Sequence, residues 1–340
     1  EMISSKGTAA LGTQFWTGHL TNVDDVQDRC NIVSVMSLSD NNSITLSNLN
    51  PSVNVKGLGT GAAHTITLDA NESFIFAASP YNSSDSDADG KAFIGAFLSS
   101  NEDIVVNVGS VNGNMINTAG TTQGGRDHAT DQIVPLDRVG NDYALVKGLG
   151  TDDHERPIVI ATQPNTNVYF NDNANPINLL NAGDYYVADS STDNYYNNDE
   201  VLTLYSDKPI YVYQPVMAND QSMTQGMFFV PPINCSAPRF LDMVSEIDKI
   251  GNKDFNGRLN ILVKDTATTD IVINGVSYDL DSNLPPNTDG PLTADFNANS
   301  SISGYSAYKI NNLTGDISVN SSGDIYVGVF GYRDNAGIGA

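Results

Sequence analysis

The chain has 340 residues, 16 Lys and Arg against 40 Asp and Glu, a net charge of −24 and 40% hydrophobic residues. Its length suggests roughly two or three domains. The acidic balance, without a basic run, excludes a protein that tracks nucleic acid by counterion release and disfavours anionic membranes, and no apolar stretch reaches the ~20 residues of a membrane helix.

In chain order, the opening Glu1-Met2-Ile3-Ser4-Ser5 has no basic region followed by an apolar one, which fits either a removed leader or, the favoured reading, a segment of a longer protein. Short runs rich in Val, Ile, Thr, Tyr and Phe then recur between Asn, Asp, Gly, Ser and Pro clusters, at residues 32–36, 66–68, 104–108, 157–160, 210–213, 259–263 and 325–329. Period-two runs bounded by turn formers are strand signals, so the chain reads as all-β. Residues 240–250 are the most helix-like and fit equally a strand followed by a turn. The two cysteines, Cys30 and Cys235, are too few for a disulfide scaffold or a four-Cys zinc site. They fit either one bridge or two buried thiols.

An internal repeat organises these strands. Ser100-Asn101-Glu102-Asp103-Ile104 lines up with Ser206-Asp207-Lys208-Pro209-Ile210 and with Ser322-Gly323-Asp324-Ile325. A strand pair precedes each copy: residues 32–36 with 44–46, 158–161 with 168–170, and 259–263 with 271–273. Proline-marked junctions, Val134-Pro135 and Val230-Pro231-Pro232, open the later copies. A unit of about 100 residues built from short strands is the size at which a two-sheet sandwich closes one core. The expected architecture is all-β, about three tandem β-sandwich repeats with long polar loops, at residues 1–131, 132–226 and 227–340.

Gly12-Thr13-Gln14-Phe15-Trp16, Ile133-Val134-Pro135 with Gly140-Asn141-Asp142-Tyr143, and Ser206-Asp207-Lys208-Pro209-Ile210-Tyr211-Val212-Tyr213 resemble the IgGFc-binding-protein N-terminal domain family. Met227-Phe228-Phe229-Val230-Pro231-Pro232, Glu246-Ile247-Asp248-Lys249-Ile250-Gly251 and Ile273-Asn274-Gly275 are similar to the version in large secreted surface proteins of Bacteroidota, among them gliding and adhesion proteins of the type 9 secretion route. The resemblance implies a secreted or cell-surface location and brings no catalytic motif.

Asp85-Ser86-Asp87-Ala88-Asp89-Gly90 places three carboxylates at alternate positions before a glycine. That spacing lets Asp85, Asp87 and Asp89 converge on one hard cation, and calcium is the expected cofactor. Ala96 stands at the twelfth position, where an EF-hand needs a bidentate carboxylate, so the loop is not an EF-hand. Asp279, Asp281 and Asp289 form a looser cluster, as do Asp193, Asp199 and Glu200. The alternative for all three is a solvated acidic loop. Lys56-Gly57-Leu58-Gly59-Thr60 recurs as Lys147-Gly148-Leu149-Gly150-Thr151, but neither copy opens a helix, so both read as turns rather than phosphate loops.

No nucleophile elbow, His-Glu-x-x-His or Walker loop is present, and His19, His64, His128 and His154 lie in different segments. Asp193, Tyr195, Tyr196 and Asn197 combine aromatic faces with amide and carboxylate groups, the mixture that grips a sugar ring; the competing role is to pin the loop onto the sandwich. The sequence therefore points to a non-catalytic adhesion or ligand-binding region of a secreted bacterial surface protein, calcium-stabilised, with a surface glycan or protein as ligand and neighbouring domains of a longer chain as partners. A structural spacer is the alternative, and a glycan-acting enzyme has less support.

Overall fold

A computed structural model describes residues 5–23, 30–78, 92–116, 125–189, 196, 200–217, 224–234, 237–333 and 336–339. The strands fall into three consecutive blocks. The first holds β1 (Gly12–Thr17), β2 (Asn22–Val23), β3 (Cys30–Ser37), β4 (Asn42–Ser47), β5 (Asn54–Val55), β6 (Gly59–Thr60), β7 (His64–Leu68), β8 (Ser73–Ala77), β9 (Ala96–Asn114) and β10 (Asp127–Gln132). The second holds β11 (Gly140–Val146), β12 (Ile158–Ala161), β13 (Thr166–Phe170), β14 (Ile177–Leu179), β15 (Tyr185–Val187), β16 (Val201–Met217) and β17 (Thr224–Phe229). In the third are β18 (Phe240–Val244), β19 (Lys249–Ile250), β20 (Lys253–Asp254), β21 (Asn256–Lys264), β22 (Thr269–Ile273) and β23 (Val276–Asp279). It closes with β24 (Thr288–Thr293), β25 (Tyr305–Leu313), β26 (Ile317–Ser321), β27 (Ile325–Arg333) and β28 (Ala336–Gly339). The ambiguous segment at 240–250 is thus a strand, a turn and a second short strand.

The three blocks share one wiring. The first half of β9 pairs with β1 and β4, and its second half with β3 and β10, so a single bent strand passes from one layer of a sandwich to the other. β16 repeats this, pairing through Val201–Ser206 with β11 and β13 and through Ile210–Met217 with β12 and β17. In the third block the same path is split: β26 pairs with β18 and β22, and β27 with β21 and β28. The recurring Ser-x-x motif lies at this crossing, where Ser100 Oγ donates to the Glu102 carbonyl at 2.8 Å and Ser206 Oγ to the Lys208 carbonyl at 2.7 Å. A hydroxyl turned back on the backbone satisfies a carbonyl where the ladder changes partner. The second block reaches past residue 226, because β17 completes its sheet.

Conserving the path also explains the paired glycines. A Cβ on Gly12 would come within 2.4 Å of the Pro135 ring, and one on Gly140 within 2.8 Å of the Pro232 ring. In each case the segment leaving the block folds back over the block's first strand, and only glycine leaves room for the proline. Tyr143 fixes the same corner, its hydroxyl donating to the Ile210 carbonyl at 2.5 Å.

Burial separates the joints between blocks. On β12, Ile158 and Ile160 enter the core of the first block while Val159 and Ala161 enter that of the second, and on β16 Tyr211 and Tyr213 face the first core and Ile210 and Val212 the second. This layer is therefore buried on both faces, which is why residues 157–160 and 210–213 read as unbroken apolar runs. Tyr211 donates to the Val134 carbonyl at 2.9 Å and Tyr213 to the Trp16 carbonyl at 2.8 Å. The third block keeps its own core around Leu259, Ile261, Ile310, Ile317 and Val319. Cys30 is buried on β3, and Cys235 lies outside the described residues.

Candidate functional site

A cavity of about 820 Å³ opens where the three blocks meet. Its floor is the outer face of the third block's five-stranded sheet, where Asn260 and Leu262 of β21 lie beside Tyr326, Gly328 and Phe330 of β27. Phe228 and the extended segment Val230-Pro231-Pro232 form one wall; Val134, Val139 and Lys6 close the other side, and Arg138 and Phe240 stand at the rim. Phe228 and Phe330 meet edge to face, with ring centroids 5.4 Å apart. A mostly apolar cleft with a few fixed polar groups is the kind of surface on which ligands bind.

Two buried polar assemblies hold the walls. Lys6 Nζ lies 3.0 Å from the Asp131 carboxylate, which also accepts the Phe229 backbone N–H at 2.9 Å and the Gln132 N–H at 2.8 Å. Burial pushes the Asp131 carboxyl above its ordinary range, opposed by the Lys6 charge and these N–H donors. Asp131 thereby ties the N-terminal segment to the first block and β17. On the other side, Arg258 donates through Nε to Asn260 Oδ1 at 2.8 Å and through a terminal nitrogen to the Lys147 carbonyl at 2.7 Å. Its guanidinium stands 5.9 Å from the Phe330 ring centroid, so the clasp between second and third blocks abuts the cleft floor. Lys309 pairs with Glu200 across the same joint.

The second Lys-Gly-Leu-Gly-Thr copy does cradle an anion, supplied by the chain itself. The fully buried Glu155 carboxylate accepts the N–H groups of Gly148 at 2.7 Å, Gly150 at 2.8 Å and Met217 at 2.9 Å. Burial raises its pKa, and the three N–H bonds and the Arg258 charge act in the opposite direction. The first copy forms the exposed β5–β6 turn, with Gly57 and Gly59 at φ of 79° and 86°.

Of the residues the sequence singles out for ligand binding, Tyr196 is described. It is 5% exposed and packs in the second block's core, where its hydroxyl accepts from Gln214 Nε2 at 3.1 Å. Gln214 lines the cleft and also donates to the Val146 carbonyl at 2.8 Å, so Tyr196 braces the cleft wall from behind. Asp193, Tyr195 and Asn197 lie outside the described residues, as do the candidate calcium ligands Asp85, Asp87 and Asp89. Asp279 Oδ1 instead accepts the Asp281 N–H at 2.7 Å, and Asp289 accepts from Asn311 at 3.0 Å. Among the described residues no three His, Cys, Asp or Glu side chains gather as a metal cage.

The cleft residues escape sequence reading because their role depends on three distant segments meeting. One local signal exists: β17 carries aromatic residues at adjacent positions, Phe228 and Phe229, so both of its faces must be covered.

The family model of the IgGFc binding protein matches residues 5–331, taking in all three blocks and the cleft between them. The chain belongs to the IgGFc-binding protein family. The family is a binding-domain family and typically extracellular, and the Gly-Pro corners, Tyr143 and the β16 crossing lie in the segments that carry the resemblance. A comparison with curated proteins returns no match. No described helix is long and apolar enough to cross a membrane.

Proposed function

We propose that this chain is the non-catalytic ligand-binding region of a secreted adhesion protein, and that it takes a protein ligand in the three-block cleft. The observation that carries the reading is the cleft itself: aromatic rings line an opening of about 820 Å³, and its walls are held by Asp131 within the lining and Arg258 behind it. A protein ligand fits the family better than a glycan fits Tyr196, whose ring is turned into the core. Substituting Phe240, 60% exposed at the rim, tests the site without disturbing a core. Phe240→Asp abolishes capture of peptides selected from a displayed random library and of immobilised immunoglobulin Fc if either binds there. Capture unchanged by Phe240→Asp places the ligand elsewhere and defeats the reading.

Calcium in the Asp85, Asp87 and Asp89 loop belongs to the same proposal, because a −24 chain repels itself and a bound cation relieves that repulsion. Chelation is expected to lower the melting temperature. An unchanged melt, with no calcium by elemental analysis, removes it.

The spacer reading draws on the core shared by the first and second blocks, which makes a stiff unit. It predicts that no library selection yields a binder sensitive to Phe240→Asp.

A further inference from the structure

Resting on the cleft as the ligand site, we propose that its ligand is an extended protein segment that adds as a strand to the free edge of β18, lays apolar side chains along Phe240, Tyr326 and Phe330, and places a carboxylate against Arg138. β18 is the end strand of its sheet, paired with β26 and with no described strand along its other edge. An unpaired edge offers a row of N–H and C=O groups that another backbone in extended form can satisfy.

The second block supplies the precedent. There the chain's own Val230-Pro231-Pro232-Ile233 runs along the free edge of β11, and the Ile233 N–H donates to the Asp142 carbonyl at 2.7 Å. Asp142 stands opposite Tyr205, one step before the Tyr143–Leu204 pair; Phe240 stands opposite Asn320, one step before the Leu241–Val319 pair. The two positions are equivalent. The glycine that admits Pro232 in the second block has its counterpart in Pro238, whose carbonyl takes the Ile325 N–H as Gly140 pairs with Ile210. A ring already fills that notch in the third block, so a strap of the Val-Pro kind does not seat there. An outside strand without proline at that point does.

Side-chain chemistry points the same way. Phe240 and Leu241 of β18 both line the cleft, so a strand added along this edge lies within it. Arg138 at the rim is 60% exposed, and its contact with Asp137, itself 76% exposed, is 3.9 Å long. So loose a pair leaves the guanidinium available to a ligand carboxylate. The cleft lining carries Lys6 and Arg138 beside Asp131 and Asp137, so its charges balance in spite of the −24 of the whole chain, and Arg138 is the exposed cation that a ligand carboxylate can reach.

The test uses the intact chain and linear peptides selected from a displayed random library. Expected are sequences alternating apolar and polar residues with a flanking Asp or Glu. Their binding is abolished by backbone N-methylation along one edge, and it weakens roughly tenfold when the acid becomes Lys or when Arg138→Glu is introduced, the usual range for one charge-assisted hydrogen bond. Arg138→Glu with a Lys-bearing peptide recovers affinity, which a merely structural role for Arg138 does not predict. Selected peptides that are sensitive to Phe240→Asp but indifferent to N-methylation, or that prefer Lys on the unmodified chain, overturn this proposal and leave the cleft reading standing. An absence of any Phe240-sensitive binder overturns both.

Discussion

His19 is fully buried between strands, and its two ring nitrogens are both used: Nδ1–H donates to the Leu20 carbonyl at 2.7 Å and Nε2 accepts the Phe93 N–H at 3.0 Å. These partners assign the neutral tautomer, since a second ring proton would confront a backbone donor. Burial lowers its pKa from 6.5 to about 4, against a smaller opposing effect of the Leu20 carbonyl. The unfolded chain therefore takes up the proton first as pH falls. Stability contributed by the neutral ring is complete above pH 6.5 and is lost progressively toward pH 4, by about 3 kcal/mol at ~1.4 kcal/mol per pH unit. Burial shifts Asp131 and Glu155 upward, which contributes the opposite slope, so the comparison must be made within a pair. Denaturant midpoints of the wild type and His19→Gln at pH 7 and pH 4.5 check this: the acid-induced loss should be smaller in the variant, and an equal loss refutes it.

At the scale of elements, the bent long strand is what each block is built around, and its crossing point is held by small polar devices rather than by bulk. In the second block Tyr143 does this directly, donating its hydroxyl to Ile210 just after the crossing and accepting the Gly140 N–H at 3.1 Å. Tyr143→Phe keeps the ring in the core but leaves the Ile210 carbonyl without that donor, so it is expected to cost about 1–2 kcal/mol. Urea unfolding measures it, and a neutral result would mean that the corner is held by the Gly140–Pro232 contact alone. The equivalent strand starts in the other blocks carry Phe15 and Leu241, which have no hydroxyl to offer. The corner chemistry of the second block is therefore its own, although the path is shared.

Across the whole molecule, the two joints differ in kind. The first joins blocks through a continuous apolar core with Tyr211, Tyr213, Met227 and Phe229 buried in it, so separating those blocks exposes aromatic surface worth several kcal/mol. The second has a small apolar patch around Val201, Leu262 and Ala307, with polar ties: Thr203 to the Asp295 carbonyl, Asn297 to the carbonyls of Asn171 and Asn173, Arg258 to Lys147, and Lys309 to Glu200. Lys309 is 4% exposed and Glu200 49% exposed. Burial lowers the Lys309 pKa, joined by the nearby Arg258 charge, whereas for Glu200 the upward push of burial is outweighed by Lys309. Breaking the pair is thus asymmetric. Glu200→Gln leaves a buried cation beside Arg258 and should cost about 3 kcal/mol or more, whereas Lys309→Met leaves a carboxylate that reaches water and should cost less. Hydrogen exchange at β11 and β25 reads the opening of this joint; equal effects of the two variants would contradict the argument. Because the cleft spans this joint, its walls move apart when the third block loosens.

Fold class and the recurring Ser-anchored strand were legible in the sequence because they depend on local patterns: period-two alternation, polar turns and proline-marked junctions. Even the double-sided burial of β12 and β16 left a trace in the unbroken apolar runs at 157–160 and 210–213. The cleft was not legible, since Lys6, Arg138, Phe228 and Phe330 stand far apart along the chain and nothing in their own neighbourhoods says that they face one opening. Tyr196 takes the second of the two roles its sequence allows: the ring pins its segment, turned inward to Gln214, because burying an aromatic face with its hydroxyl bonded outweighs leaving it in water. Local sequence chose the strands; the way in which three separately wired blocks pack decided which side chains share a surface.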